Sequence, residues 1–141
     1  MPRLNYAAPH AYSLTLCTHE RREVFKSAQT AETVLSILRE CADEFRYDLL
    51  AYCLMPDHLH LLISPQDSGV TVSEFVRHLK SRSAFRFKSA THEKLWQRGF
   101  YDHAVRKSED LQKVADYIFH NPVRKGLVET AEAYPYAGPK A

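Results

Sequence analysis

Two histidines separated by one residue, His58 and His60, are side chains whose type and spacing could do chemistry. They lie in a run typical of a β-strand, where residues two apart point to the same side. Two adjacent imidazoles can bind a divalent metal ion. Alternatively, they are ordinary polar positions of a half-exposed strand. The neighbouring Leu61-Leu62-Ile63 is apolar on both faces, which predicts a central strand where unpartnered imidazoles would be costly to bury.

Tyr117 and Asn121 stand four residues apart on the last predicted helix. This spacing brings both side chains to one flank of a helix. An amide oxygen is a hard ligand, and together with two imidazoles it would suit Mg²⁺ or Mn²⁺ and leave positions open for phosphate oxygens. The alternative is a tyrosine at the rim of the core and an asparagine that ends a helix before Pro122.

The apolar periodicity of the chain predicts four strands and three helices in the order β-α-β-β-α-β-α. The predicted strands are 12–18, 47–55, 58–63 and 100–106, and the predicted helices are 29–45, 72–88 and 108–121. This order suggests an α+β fold with a ferredoxin-like or RRM-like antiparallel sheet, with the helices on one face and the other face free. Such platforms serve both RNA-recognition domains and DNA-nicking enzymes, so the fold alone does not decide the function.

The second predicted helix is basic, because no acid occurs between Phe75 and His92. Such a stretch favours a surface that faces phosphates, although a solvated helix face has the same composition. Two aromatic residues beyond it could stack on unpaired bases, with core packing as the alternative. The candidate DNA-binding residues are Arg77, Lys80, Arg82, Arg86, Lys88, Trp96 and Phe100.

The composition, with 45% hydrophobic and 26% charged residues among 141 and a formal net charge of +2, is typical of a globular protein. We expect one domain spanning 1–141, in the cytoplasm and without a membrane partner, since no leader or spanning run is found. Cys17, Cys41 and Cys53 include no CxxC pair, which favours buried free thiols. No GxxxxGK[ST] loop occurs, so no nucleotide cofactor is expected.

Three stretches of the sequence carry a resemblance to a known family. They are Met55-Pro-Asp-His-Leu-His-Leu-Leu-Ile63, Leu95-Trp-Gln-Arg-Gly-Phe-Tyr-Asp-His-Ala-Val-Arg106 and Tyr117-Ile-Phe-His-Asn-Pro-Val-Arg-Lys-Gly-Leu-Val128. In order and spacing they resemble the REP-associated tyrosine transposases of the HUH superfamily, in which U is a bulky apolar residue. The likeness extends weakly over nearly the whole chain from Tyr12. The tail departs from the family pattern, since Tyr134-Pro-Tyr-Ala-Gly-Pro-Lys-Ala141 stands where members have a Tyr-Pro-Trp-Ser-Ser-like stretch and a further basic segment.

The resemblance implies the ferredoxin-like fold, metal binding by His58 and His60, a third ligand in Asn121 and a nucleophile in Tyr117. It implies metal-dependent cleavage and strand transfer of single-stranded DNA through a 5′-phosphotyrosine intermediate. The implied substrate is a hairpin-forming repetitive extragenic palindrome with a single-stranded flank. The implied enzyme is bacterial and nucleoid-associated, and is a monomer acting in cis or a homodimer.

The sequence leaves open which histidine accepts the proton of Tyr117, and it leaves two alternatives to the strand-transfer function. His103 and His120 are both candidates for the group that accepts the proton of Tyr117, and either could instead be a surface or core histidine. The chain could also be a non-catalytic nucleic-acid-binding module on the same fold. A third possibility is a metal-dependent phosphoesterase that uses water, for which Tyr117 would be incidental.

Overall fold

The computed structural model describes residues 11–106 and 108–140. The strands are β1 (Ala11–Cys17), β2 (Tyr47–Met55), β3 (His58–Pro65), β4 (Tyr101–Val105) and β5 (Ala137–Gly138). The helices are α1 (Ala28–Phe45), α2 (Val72–Thr91), α3 (Ser108–Phe119) and α4 (Asn121–Arg124). Short 3-10 turns lie at His19–Arg21, Val24–Lys26 and Ala131–Ala133. The seven predicted elements are therefore present in the predicted order.

The strands form an antiparallel sheet in the order β4-β1-β3-β2-β5. β3 lies at its centre, with His58 opposite Cys17 of β1 and opposite Met55 of β2. The predicted α+β antiparallel sheet is confirmed. β5 was not predicted, because Ala137 and Gly138 are too few residues to give an alternating pattern.

The helix boundaries have local causes. Ser27 caps α1 by accepting a hydrogen bond from a first-turn amide, and Thr71 and Glu74 form a reciprocal capping box at the start of α2. Both helices end at a residue in the left-handed conformation, Arg46 for α1 and His92 for α2. That conformation turns the chain away from the helix axis.

The helices lie on both faces of the sheet, so the prediction that they share one face and leave the other free was wrong. α1 and α2 pack over the side that carries Leu61, whereas α3 packs over the side that carries Leu62. Because β3 is apolar on both sides, a bare second face would expose Leu62 to water. α3 covers it with Leu111, Ala115 and Ile118. We call this second side the α3 face.

The predictions for the cysteines and for membrane-spanning segments can be compared with the described residues. Cys17, Cys41 and Cys53 are free and buried, as predicted. Among the described residues, no helix combines the length and the apolar character needed to cross a bilayer.

Candidate active site

His58 and His60 project from the α3 face of β3, as the period of a strand predicts. Both are partly buried, and Leu59 between them is 0% exposed in the core on the opposite side. On the neighbouring strands, His60 pairs with Thr15 of β1 and with Cys53 of β2. The two imidazoles are therefore held by the central strand of the sheet.

Each imidazole is oriented by a hydrogen bond at one ring nitrogen. Nδ1 of His58 lies 2.9 Å from Oδ1 of Asp57, and Nε2 of His60 lies 3.3 Å from the hydroxyl of Ser13. The other oxygen of Asp57 accepts a hydrogen bond from Nε of Arg21 at 3.1 Å, and a terminal guanidinium nitrogen of Arg21 lies 2.9 Å from the same oxygen. Partners of this kind fix the ring orientation and tautomer of metal-binding histidines.

The charge on Asp57 decides which nitrogen of His58 is free. Burial raises the pKa of the Asp57 carboxyl, but hydrogen bonds from His58 and Arg21 outweigh burial and hold this pKa below its usual value. A carboxylate only accepts hydrogen bonds, so Nδ1 of His58 donates and Nε2 keeps its lone pair when the ring is neutral. Burial, reinforced by the nearby charge of His58, lowers the pKa of His60 to about 4, so this ring is neutral at pH 7.

α3 and the turn that follows it bring Tyr117 and Asn121 to the two histidines. The ring centroids of Tyr117 and His60 are 6.3 Å apart, in an edge-to-face arrangement. The side-chain amide nitrogen of Asn121 lies 3.3 Å from Nε2 of His58. Asn121 is 7% exposed, whereas Tyr117 is 58% exposed. The residues whose spacing suggested a site are therefore gathered on the α3 face, with the phenol open to solvent.

These donors fit a hard divalent cation. Ligand atoms at right angles around Mg²⁺, with bonds of roughly 2.1 Å, lie about 3.0 Å apart. The 3.3 Å between the amide of Asn121 and Nε2 of His58 is close to that separation, and a half turn of the amide exchanges its nitrogen for its oxygen. Within residues 11–106 and 108–140, no three His, Cys, Asp or Glu side chains are grouped to hold a metal ion.

A buried thiol borders this site. Cys53 lies opposite His60 on the adjacent strand, and burial raises the pKa of its thiol to about 12. The imidazole and amide groups of His58, His60 and Asn121 are donors of the kind that Mg²⁺ and Mn²⁺ accept.

A cleft of about 460 Å³ opens beside Tyr117 on the α3 face. Tyr101 of β4 also lines it and is 67% exposed, so the cleft contains a second accessible phenol. The residues that line the cleft are Ser13, Thr15, His60, Tyr101, Asp102, His103, Lys113, Val114 and Tyr117. His60 and His103 thus line the same cleft as the two phenols.

Arg124 and Lys113 are site residues that the sequence reasoning missed. The guanidinium carbon of Arg124 lies 3.7 Å from the centroid of the Tyr117 ring, and the guanidinium donates to the backbone carbonyl of Tyr117 at 2.7 Å. Lys113 lines the cleft one helical turn before Tyr117. Lys113 and Tyr117 lie four residues apart on α3, and this spacing is the signal that could have found Lys113. Arg124 lies beyond the end of α3, on α4, so spacing along one helix would not have found it.

The two candidate proton acceptors are placed differently. His103 of β4 lines the cleft that Tyr117 lines. Nδ1 of His120 lies 2.8 Å from the backbone carbonyl of Asp116, so this nitrogen is directed at its own helix. Of the two, His103 is the one that shares the cleft with the phenol.

The basic helix α2 lies across the sheet from Tyr117, and two of its candidate DNA-binding residues are occupied by the protein itself. Arg82 makes a two-bond ion pair with Glu44 of α1, with both distances 3.0 Å. The ammonium group of Lys80 donates to the backbone carbonyls of Gln97 and Gly99. These two residues join α2 to its neighbours, so the phosphate contacts predicted for them would compete with contacts inside the protein.

The other candidates in this region differ in their exposure. Arg77, Arg86 and Lys88 are exposed, although Arg86 lines a depression that also contains Glu32 and Glu40. Phe100 is half-buried against the core. The three exposed cations remain available to phosphates.

Trp96 is a core residue, which corrects its prediction as a base-stacking residue. It is 4% exposed, its ring packs against Phe25 with centroids 5.6 Å apart, and its Nε1 donates to the hydroxyl of Ser83 at 2.9 Å. This hydrogen bond is buried between α2 and the segment that precedes β4. Neither ring face is open to a base.

Ser83→Ala is expected to lower the free energy of unfolding by about 1–3 kcal/mol, because it leaves the buried indole N–H of Trp96 without an acceptor. Ser81→Ala is the matched control, since this exposed serine of the same helix gains the same helix propensity and leaves no buried donor unpaired. Urea unfolding of both variants makes the comparison. Equal free energies of unfolding for the two variants would show that the hydrogen bond makes no net contribution to stability.

Comparisons with known proteins give this geometry a family. Residues 7–121 match the family model described as Transposase IS200 like. A Haemophilus influenzae protein, provisionally named a REP-associated tyrosine transposase, is 26% identical over 96% of this chain and 82% of its own length. The ISDra2 transposase TnpA of Deinococcus radiodurans is 36% identical over 60% of this chain and 61% of its own.

Solved structures agree on the fold. A REP-associated tyrosine transposase bound to a REP hairpin superposes with a TM-score of 0.76 at 23% identity, over 97% of this chain and 81% of that one. With the family model covering residues 7–121, the chain belongs to the IS200-like transposases, and it is similar to REP-associated tyrosine transposases from Haemophilus influenzae and Escherichia coli.

Proposed function

We propose that this transposase cuts and rejoins single-stranded DNA beside a hairpin, with Tyr117 as the nucleophile. One observation carries the proposal: the exposed phenol of Tyr117 stands against His60 while the buried amide of Asn121 contacts His58. A phenol, two imidazoles and an amide are thus concentrated at one cleft. A nucleic-acid-binding module would have no need of that set.

The proposed reaction is an in-line displacement at phosphorus. The phenol oxygen of Tyr117 bonds to the scissile phosphorus, the bond to the 3′ oxygen breaks, and the leaving oxygen takes up a proton to become a free 3′-hydroxyl. The 5′ phosphate stays attached to Tyr117. The diester keeps the energy of the original bond, so a second 3′-hydroxyl can reverse the step without ATP.

The chain's own residues bind and orient the phosphate. Arg124 lies over the ring of Tyr117 and Lys113 lines the same cleft, so two positive charges are available near the phenol, where the charge on the phosphate must be neutralised. His103 lies in the cleft as a proton acceptor for the phenol. His58, His60 and Asn121 would hold Mg²⁺ or Mn²⁺, which would polarise a non-bridging phosphate oxygen.

The proposed substrate is hairpin-forming repetitive palindromic DNA with a single-stranded flank. The solved relative bound to a REP hairpin supports this choice, since it has the same fold over 97% of this chain. The contact of Tyr117 with His60 within one chain supports action in cis, because no partner's tyrosine is needed to complete the site.

Incubating the protein with a labelled hairpin oligonucleotide tests the proposal. With Mg²⁺ or Mn²⁺ we expect a protein–DNA adduct that survives denaturation, and with a chelator we expect none. Cleavage without an adduct would indicate the phosphoesterase that uses water. Binding without cleavage under every metal condition would indicate the non-catalytic module.

Asp57→Ala is expected to weaken Mn²⁺ binding about 10- to 100-fold, because it removes the carboxylate that orients His58. Titration calorimetry with Mn²⁺ alone measures this effect without DNA. Asp43→Ala is the control, since it removes the same charge from an exposed position on α1. If the two variants bind Mn²⁺ equally well, Asp57 does not orient a metal ligand.

A further inference from the structure

A second cleft, of about 710 Å³, lies between α2 and the segment from 92 to 99 that follows it. Buried Leu95 and partly buried Ala84 contribute apolar surface to it. Cations line it as well, and we call it the basic groove. Its cationic lining residues are Lys80, Lys88, Lys94 and Arg98.

Three of these cations have no counter-charge. Lys88, Lys94 and Arg98 are exposed, and within residues 11–106 and 108–140 none of them makes an ion pair. Glu93 is the acidic residue that lines the groove, and it pairs with Arg22 at 3.4 Å. Unpaired cations around a partly apolar concave surface suit a chain of phosphates.

An exposed aromatic side chain stands at the rim of the groove. Phe85 is 71% exposed, more than Tyr101 or Tyr117. It lies four residues from Ser81 and three from Lys88, both of which line the groove, so it shares their helical flank. A phenyl ring beside cations offers a stacking surface to an unpaired base.

The basic groove and the catalytic cleft lie close together along the chain. Arg98 lines the groove and Tyr101 lines the cleft, and the three-residue step between them spans at most roughly 11 Å. β4, which begins at Tyr101, is the edge strand of the sheet. One polynucleotide can therefore pass around this edge from the groove into the cleft.

We propose that the basic groove binds a single-stranded stretch of the DNA that is cut at Tyr117, with Phe85 stacking on one of its bases. This inference rests on the proposed function, which identifies the bound DNA as the single-stranded flank of the hairpin substrate. Unpaired bases are favoured over a duplex, because a duplex offers phosphates to the cations but keeps its bases stacked away from Phe85.

Binding of hairpins with and without a single-stranded flank tests the proposal. Fluorescence anisotropy would give the Kd of a hairpin with a 5′ flank, one with a 3′ flank, one without a flank and one with a duplexed flank. Phe85→Ala is expected to weaken binding of one of the single-stranded flanks roughly 5- to 150-fold. Binding of the hairpin without a flank should be unchanged.

The cations are tested by their salt dependence. The triple variant Lys88→Gln, Lys94→Gln, Arg98→Gln should lower the slope of log K against log salt by about 2 for the flanked hairpin, since each single-strand phosphate contact contributes roughly 0.7. Arg46→Gln, an exposed cation at the end of α1 outside the groove, is the control and should leave the slope unchanged.

Several outcomes would overturn the inference. Equal losses on single-stranded and duplexed flanks would make the groove a duplex site, and unchanged binding in both variants would make it no DNA site. Failure of the proposed function is distinguishable, because it appears as an absent adduct in the wild type while the dependence on the flank persists.

Discussion

Tyr117→Phe is expected to abolish the covalent adduct and the cleavage of hairpin DNA while leaving DNA binding intact. The substitution removes the phenol oxygen and nothing else. The ring can still pack edge-on against His60 and beneath the guanidinium of Arg124. Because the phenol is exposed, its loss leaves no buried partner unsatisfied. Denaturing gels of labelled oligonucleotide would measure the adduct, and anisotropy would measure binding.

Tyr101→Phe is the matched control for this result. Tyr101 lines the same cleft and is more exposed than Tyr117, so accessibility alone would favour it as the nucleophile. Tyr101 lies on β4, whereas Tyr117 contacts His60 and Arg124 directly. We expect Tyr101→Phe to form adduct at close to the wild-type level. Loss of the adduct in Tyr101→Phe, with retention in Tyr117→Phe, would reverse the assignment.

His58→Ala is expected to slow cleavage by at least about 1,000-fold. Lewis-acid stabilisation of a phosphate is worth several kcal/mol, and each 1.36 kcal/mol corresponds to a factor of ten in rate. His58 lies between Asp57 and Asn121, so its loss would remove one proposed metal ligand and the contact that positions the other proposed ligand, Asn121. Single-turnover cleavage at several Mn²⁺ concentrations would measure the rate and its dependence on metal.

The control for His58→Ala is His19→Ala. His19 is partly exposed in the turn after β1, and its side chain lies near Glu20 rather than near Tyr117. We expect His19→Ala to cleave at the wild-type rate. If His58→Ala also cleaves at that rate with the same metal dependence, the metal is not held where we propose.

The parts of the site that depend on local geometry could be predicted from the sequence. His58 and His60 share a side because side chains alternate along a strand, and Tyr117 and Asn121 share a flank because four residues make about one helical turn. Lys113, four residues before Tyr117 on α3, follows the same rule and could have been included. No long-range information is needed for any of these relations.

The parts that depend on packing between distant segments could not be predicted in the same way. α3 packs on the side of the sheet that carries Leu62. Leu62 faces away from α1 and α2 and would otherwise be exposed to water. The ion pair of Arg82 with Glu44 joins residues 38 apart, and a basic stretch looks the same whether its partners are phosphates or carboxylates. A single sequence does not show how α1 and α2 are aligned against each other, and therefore does not show that Arg82 faces Glu44.

Trp96 illustrates the same limit for aromatic residues. A tryptophan near a basic stretch is compatible both with stacking on a base and with packing in the core. In the structure Trp96 is buried and donates a hydrogen bond to Ser83, whereas Phe85 is exposed and is the residue that we propose for stacking. The burial of Trp96 depends on contacts with Phe25 and Ser83, which are distant in sequence and are not visible in the local pattern.

Peptide mapping of the adduct is the most direct test of the central claim. The adduct formed with a hairpin oligonucleotide would be digested with nuclease and protease, and the peptide that carries the nucleotide would be identified by mass spectrometry. The account predicts a 5′-nucleotidyl phosphate on the phenol oxygen of Tyr117. A nucleotide on Tyr101, or on any other residue, would contradict it.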